Sequence, residues 1–247
     1  MLLHEKVAIV TGATRGIGKE IVETFVAQGA FVYGIYNSND EAARLIEDAL
    51  NRERLCVDYV KGSVEDQAFI DTLFKEIAKK HGRIDVLINN AGVTRDQFLF
   101  QMDEQNWQNV LQVNFSGTYK CCLAALPYME ANQTGKIVNL VSVTGVVGRE
   151  AQTNYGTSKG AIIGLTRLLA RKYHEKGICI NAIAPGMIQT EMIEQVPKAK
   201  LDNFLRFTNA KKLGTTKEVA RSVLFLSCEL SDYVTDTVLK VDGGFLR

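Results

Sequence analysis

Residues 6–18 read KVAIVTGATRGIG, and Ile21, Val22, Phe25 and Val26 follow at the spacing of one helix face. A short apolar run that ends on glycine is the mark of a strand buried on both faces of a parallel sheet. Strand, glycine turn and amphipathic helix succeed one another without a gap. A helix N-terminus presents unpaired N–H groups and the positive end of a dipole, and glycines let an anion approach the main chain. The turn Thr11 to Gly18 puts Gly12, Gly16 and Gly18 where a pyrophosphate would rest, with Thr14, Arg15 and Ile17 among them. Its spacing differs from the G-x-G-x-x-G form of dinucleotide folds, and a tight turn without a ligand would carry the same glycines.

Outward from this unit the pattern repeats. AFVYGIY (30–36) reads as a second strand, Glu41 to Arg52 as a helix and Cys56 to Lys61 as a third strand. Gln67 to Lys80 carries Ile70, Leu73, Phe74 and Ile77 on one helical face, and Ile84 to Ile88 reads as strand four. Asp103 to Glu130 reads as one long helix, Gly135 to Ser142 as strand five, Thr153 to Lys176 as a helix and Ile178 to Ile183 as strand six. Thr216 to Ser227 is a helix capped by Thr216, and Thr237 to Val241 a last strand. Such alternation, with no Pro-rich linker, repeat or composition shift, predicts a single α/β domain over residues 1–247, a parallel sheet wound on both sides by helices. Glu191 to Leu213 is charge-rich, with Met192, Val196, Phe204 and Phe207 as its apolar points, and reads as a mobile lid.

Ligands of such sheets lie outside the carboxyl ends of the strands. After strand two, a site preferring NAD places a carboxylate to accept from the ribose 2′-OH. This chain has Asn37, Ser38 and Asn39 there, with Asp40 only later. A 2′-phosphate would meet no repelling carboxylate, and Arg15 could pair with it, so the expectation is NADP(H); Arg15 as a plain solvated charge is the alternative. Strand four ends in NNAG (89–92), either a ligand contact or a brace between loops. Asn114 interrupts an apolar stretch as a buried amide that must find partners. Pro185-Gly186 end strand six, and Thr190 can cap the segment after it.

Tyr155 and Lys159 stand four residues apart on the predicted helix, after Ser142, which closes the run KIVNLVS. Residues i and i+4 share a helix face, so phenol and ammonium can point into one space. A free phenol has a pKa of about 10, and a nearby cation lowers it. Lys159 is therefore expected to make Tyr155 a better acid. The pair also arises by chance on solvated helices. Further along, AIIGLTRLLA (161–170) is apolar on more than one face, which suggests a second copy of the chain against it.

The 247 residues carry a formal charge of +1 with acids and bases interspersed, so no nucleic-acid footprint is expected. The five cysteines (Cys56, Cys121, Cys122, Cys179, Cys228) lack metal or redox spacing and read as reduced core residues, which points to the cytoplasm. No apolar run is long enough for a membrane span, and MLLHEKVAIV is too short and charged for a signal peptide. His4, His81 and His174 are scattered and read as surface residues, so no metal site is expected. Ser142 has no G-x-S-x-G elbow, which sets aside a hydrolase triad.

Taken jointly, T-G-x-x-x-G-x-G (11–18), N-N-A-G (89–92), Asn114, Ser142, Y-x-x-x-K (155–159) and P-G (185–186) resemble the short-chain dehydrogenase/reductase family. GVTRDQFLFQM (92–102) and KLGTTKEVA (212–220) look most like its β-ketoacyl-acyl carrier protein reductase branch. The resemblance implies a Rossmann fold with a seven-stranded sheet, usually a homotetramer, and hydride transfer from NADPH to the keto carbon of a 3-oxoacyl substrate on acyl carrier protein. It implies that Tyr155 donates the proton and Ser142 holds the carbonyl oxygen. Lys159 would bind the nicotinamide ribose, and Asn114 a water of the proton relay. Gly12, Thr14, Arg15, Gly16, Ile17, Gly18 and Asn37 would hold the phosphates. Ser63 and Val64 would take the adenine, Asn89, Ala91 and Gly92 the ribose side, and Pro185, Gly186, Ile188 and Thr190 the carboxamide side. The chain departs from the pattern at Ser63, where an Asp is common. It departs again near Asn132-Gln133, where a basic residue for the carrier is missing while Arg171, Lys172 and Lys176 remain. Other implied readings are a polyketide or polyene ketoreductase, an alcohol or sugar dehydrogenase, and a non-catalytic nucleotide-binding subunit.

Overall fold

The computed structural model describes residues 1–52, 56–194, 196 and 198–245. Seven parallel strands form the sheet: β1 (Val7–Thr11), β2 (Phe31–Tyr36), β3 (Val57–Lys61), β4 (Val86–Asn89), β5 (Gly135–Leu140), β6 (Ile178–Pro185) and β9 (Val238–Val241). Their order is β3-β2-β1-β4-β5-β6-β9. Winding runs one way from β1 and the other way from β4, so a crevice opens where the carboxyl ends of these two neighbours part. The remaining strands, β7 (Ile188–Gln189) and β8 (Gly214–Thr215), pair with each other beside it.

Successive side chains of a strand face opposite sides, and the core divides accordingly. Ala8 and Val10 of β1 pack with Val22, Phe25 and Val26 of α1 (Gly16–Ala27) and with Val219, Val223 and Leu226 of α10 (Thr216–Ser227). Val7 and Ile9 face the other layer, where Ile70, Phe74 and Ile77 of α3 (Gln67–His81) meet Cys121, Cys122 and Met129 of α5 (Gly117–Ala131). Complete burial of an aliphatic or aromatic side chain contributes about 1.5–3 kcal/mol, and Ile21, Phe25, Ile70 and Phe74 have no exposed surface. The glycine turn is thus carried on rigid supports, β1 before it and α1 after it.

Several expectations change in detail. Strand four begins at Val86, because the buried Asp85 carboxylate itself accepts the Val7 N–H at 2.9 Å. The single helix expected over 103–130 is α4 (Glu104–Val110), a π-helical turn at Leu111–Ser116 and α5. Thr215 rather than Thr216 caps α10, in a reciprocal box with Glu218. Cys56 is exposed while the other four cysteines are buried, and all five are free thiols. His81 is half-buried, with Nε2 2.8 Å from Tyr33 Oη. Residues 191–213 contain α8 (Glu191–Glu194) and α9 (Lys198–Arg206), and are tied to the segment after β9 by Asn209 N–H to Gly244 O at 3.2 Å and Ala210 N–H to Gly243 O at 3.0 Å. The side chain of Met192 lies outside the described residues. No helix among the described residues is long and apolar enough to cross a membrane.

Candidate active site

The loops after β1 and β4 are bolted together at the crevice floor. Thr11 Oγ1 accepts the N–H groups of Asn90 and Ala91 at 3.0 and 2.9 Å. In return Asn90 Nδ2 donates to the carbonyls of Thr11 and Gly12 at 2.9 and 3.0 Å. NNAG is therefore a brace at Asn90. Sequence reasoning passed over Thr11 and Asn90 as site residues, although both stand inside the quoted motifs. The brace explains the glycines: a Cβ on Gly12 (φ +67°) would lie 3.0 Å from Ala91 Cα, and one on Gly18 only 2.1 Å from Gly12 O. Arg15 precedes α1 with extended backbone, and its side chain caps no N–H group, so the first-turn donors carry no side-chain acceptor. A bare helix N-terminus under a glycine cradle fits a pyrophosphate. Gly16 sits in the cradle at φ +53°, and Thr14 and Ile17 flank it half-buried. Thr190 closes the far side, its Cγ2 within 3.5 Å of a Cβ built on Gly16.

At the β2 end, Arg15 and Asn37 are both exposed. The nearest acid, Asp40, is held by Lys61 at 2.7 Å, and that bond keeps its carboxyl below the usual range. Ser63 is half-buried and accepts the Glu65 N–H at 3.1 Å, while Val64 is buried against Gly117.

Asn89 stands at the end of β4 with its amide buried in the sheet, Nδ2 donating to Asn139 Oδ1 at 2.8 Å and Cys122 Sγ at 3.3 Å. Gly186 is dictated by packing, since a Cβ there would lie 2.8 Å from Asp242 Cα. Pro185 and Ile188 are buried as strand residues, Pro185 opposite Val241 and Ile188 opposite Gly214.

Asn114 lies on the π-helical turn, a local widening that aims it inward. Its Oδ1 accepts Val93 N–H at 2.8 Å, and its Nδ2 donates to Val93 O at 3.1 Å and Ser158 Oγ at 3.0 Å. The side chain is thus committed to holding the β4 loop. Gly92 passes over it, and a Cβ there would meet Asn114 Oδ1 at 3.3 Å and Lys159 Nζ at 3.5 Å.

Ser142, Tyr155 and Lys159 come together at the carboxyl end of β5. Ser142 caps α6 (Val143–Val147), accepting Thr144 N–H at 3.1 Å, so its own proton is free to donate toward the Tyr155 phenol. Tyr155 and Lys159 share a face of α7 (Thr153–Tyr173), with Lys159 Nζ 5.6 Å from the ring centroid. The expected acidification of the phenol is not found. Burial pushes the Tyr155 pKa up to about 12, against the lowering effect of the Ser142 hydrogen bond, and the Asp96 charge raises it further. Lys159 is itself buried, donates to Leu140 O at 2.8 Å, and is pushed down to about 8 by that burial. Desolvation outweighs the cation because the ammonium points at a carbonyl rather than at the phenolic oxygen. At neutral pH the phenol keeps its proton.

A chain of hydrogen bonds that the sequence did not suggest fixes this corner. Asp96 accepts from Gln152 Nε2 at 2.8 Å, which leaves Gln152 Oε1 to accept from Thr144 Oγ1 at 3.1 Å. Asn154 Nδ2 donates to Arg95 O at 2.9 Å, and Gln97 N–H to Ala151 O at 2.9 Å. The segment after β4 is thereby stitched to the start of α7. Tyr155 and Ser142 line a cavity of about 470 Å³ with Asp96, Arg149, Ile193, Phe204 and Phe207. Asp96, Arg149 and Gln152 also line an adjoining cavity of about 320 Å³. Among the described residues no group of three or more His, Cys, Asp or Glu could hold a metal ion.

Residues 6–201 match the family model for short chain dehydrogenases. The chain is similar to the 3-oxoacyl-[acyl-carrier-protein] reductase FabG of Thermotoga maritima, 38% identical over 246 residues, covering 100% of both chains. It is similar to the protein of that name from Escherichia coli, 36% identical over 99% of this chain and 98% of that one. Among solved structures it is similar to a proposed gluconate dehydrogenase from Agrobacterium tumefaciens, with a TM-score of 0.94 and 28% identity over 98% of this chain and 96% of that one.

Because a Cβ at residue 18 collides with the turn and not with the core, Gly18→Ala should lower the affinity for a nicotinamide cofactor at least about tenfold. Isothermal calorimetry beside a far-ultraviolet circular dichroism spectrum checks this, and unchanged affinity in a folded variant contradicts the cradle.

Proposed function

The chain belongs to the short chain dehydrogenase family, oxidoreductases acting on CH–OH groups, and from that membership we propose that it reduces a 3-oxoacyl thioester carried on acyl carrier protein to the 3-hydroxyacyl product. The observation that carries the proposal is the protonated phenol of Tyr155 at the wall of a cavity with an apolar side, with the Ser142 hydroxyl beside it and Lys159 beneath it. A nicotinamide cofactor, when bound, supplies the hydride for the keto carbon. Ser142 donates a hydrogen bond to the keto oxygen and orients it. Tyr155 Oη gives its proton to that oxygen, so C=O becomes CH–OH. Lys159 holds a cation under the phenol and is placed to bind the ribose hydroxyls. Asn114 keeps Val93 and the β4 loop in register for this set.

NADPH is the cofactor we assign. Support comes from the free N–H groups at α1, from Arg15 and Asn37 at the open β2 end, and from the neutralisation of Asp40 by Lys61. Gly12, Thr14, Gly16, Ile17 and Gly18 would cradle the pyrophosphate. Ser63 and Val64 would edge the adenine, Ala91 and Gly92 the ribose, and Ile188 and Thr190 the carboxamide.

A polyol dehydrogenase is the second reading, favoured by the solved gluconate dehydrogenase relative. A polyol would need hydrogen-bonding partners around its carbons. Thr94, Asp96, Thr144, Arg149 and Gln152 supply such partners on one side of the cavity, while Val143, Val147, Met187, Ile193 and Phe204 line the rest, and that apolar share favours an acyl chain. For the carrier, Lys176 is paired with Glu130 and Arg171 with Asp236 at 3.5 Å, while Lys172 has no carboxylate partner among the described residues. Exposed pairs contribute little and can exchange for carrier carboxylates. The exposed Tyr119 and Leu123 of α5 and Leu168 of α7 support a homotetramer packed through these helices. The free thiols support a cytoplasmic setting. Residues 191–213 would act as the substrate lid.

Tyr155→Phe removes the proton donor and should lower NADPH oxidation with an acetoacetyl thioester by about 10²–10⁴-fold while leaving NADPH binding intact; an active variant sinks the assignment. The charged groups facing the phenol are Lys159, Asp96 and Arg149. Asp96 raises the Tyr155 pKa, and reduction is lost as pH rises through that pKa. Asp96→Asn can still accept from Gln152, so the basic limb of the pH–rate profile should move to lower pH. An unmoved or raised limb contradicts the electrostatic role of Asp96.

A further inference from the structure

The cavity beside Tyr155 is chemically divided. Its two charged side chains, Asp96 and Arg149, come from the loops after β4 and α6. The lid and the chain end contribute Ile193, Val196, Phe204, Phe207 and Phe245, with the amide of Asn203. Three of the 11 phenylalanines of the chain meet in this one wall. Phe204 and Phe245 stack with ring centroids 4.5 Å apart and planes 9° from parallel. Their alignment is fixed by the main chain: Thr208 and Phe245 form an antiparallel bridge, and the Asn209 and Ala210 N–H groups donate to Gly244 and Gly243.

Such a wall selects by shape. Rigid aromatic faces hold a flat partner in offset stacking, and Met187 with Val143, Val147, Ile193 and Val196 completes the apolar lining around them. A saturated chain loses many torsions on immobilisation, and a conjugated one few. The cavity, about 470 Å³, is room for roughly 15 waters at about 30 Å³ each, enough for a tail longer than that of a 3-oxobutanoyl group.

We propose that the acyl group reduced by this protein ends in a flat aryl or conjugated tail that stacks against the Phe204–Phe245 pair. The inference rests on the 3-oxoacyl reading of the same site and names the substrate class within it.

The test compares kcat/KM with NADPH for N-acetylcysteamine thioesters of three acids: 3-oxobutanoic acid, a saturated straight-chain 3-oxo acid, and a phenyl-terminated 3-oxo acid of the same carbon count. The phenyl-terminated substrate should exceed the saturated one by about tenfold or more. In Phe204→Leu and Phe245→Leu that ratio should fall toward one. Because the ratio is taken within one preparation, partial loss of active protein does not affect it; if neither variant folds, the wild-type ratio decides. A wild-type ratio of one or less overturns the proposal, as does a high ratio that both folded variants retain. If no 3-oxoacyl thioester is reduced at all, the failure belongs to the 3-oxoacyl reading instead.

Discussion

A buried ammonium under a buried phenol is the constraint around which this molecule is arranged. Lys159 donates to the Leu140 carbonyl at the end of β5, and it can do so only because α7 is held flat against that strand end. Removing a cation from water is costly, and the cost appears as the drop of its pKa to about 8. The same lack of water lifts Tyr155 to about 12. The site is therefore set to give a proton rather than to take one. That fits a reductase, in which an alkoxide forming beside the phenol is a far stronger base than water.

The fold was legible because the parallel sheet leaves a strong imprint: buried strands as apolar runs, helices as one-sided patterns, glycines at the first turn. Ser142, Tyr155 and Lys159 were legible as spacing. The direction of the Tyr155 shift was not, since a helical i,i+4 relation says nothing about whether the ammonium turns to the phenol or to a main-chain carbonyl. The different surroundings of Asn89 and Asn90 were hidden for a similar reason. Two adjacent asparagines look alike in sequence, yet strand alternation sends the first into the sheet toward Asn139 and leaves the second to brace Thr11 and Gly12.

The hydrogen-bond chain from Asp96 through Gln152 and Thr144 was invisible because it joins segments separated by 56 residues. No local pattern marks such a link. It ties the loop after β4 to the start of α7 and so connects the wall of the cavity to the acid within it. Residues 191–213 are a comparable case. Their charge-rich sequence does not mark the Phe204–Phe245 stack or the Asn209 and Ala210 N–H groups that, after α9, donate to Gly244 and Gly243.

The central claim is that the phenol protonates the oxygen of a 3-oxoacyl group on a carrier protein. Intact-protein mass spectrometry of a 3-oxoacyl carrier incubated with this protein and NADPH addresses it directly. The acyl carrier should gain the mass of two hydrogens in step with NADPH consumed. A carrier of unchanged mass, with polyols oxidised by the same preparation, would contradict the account.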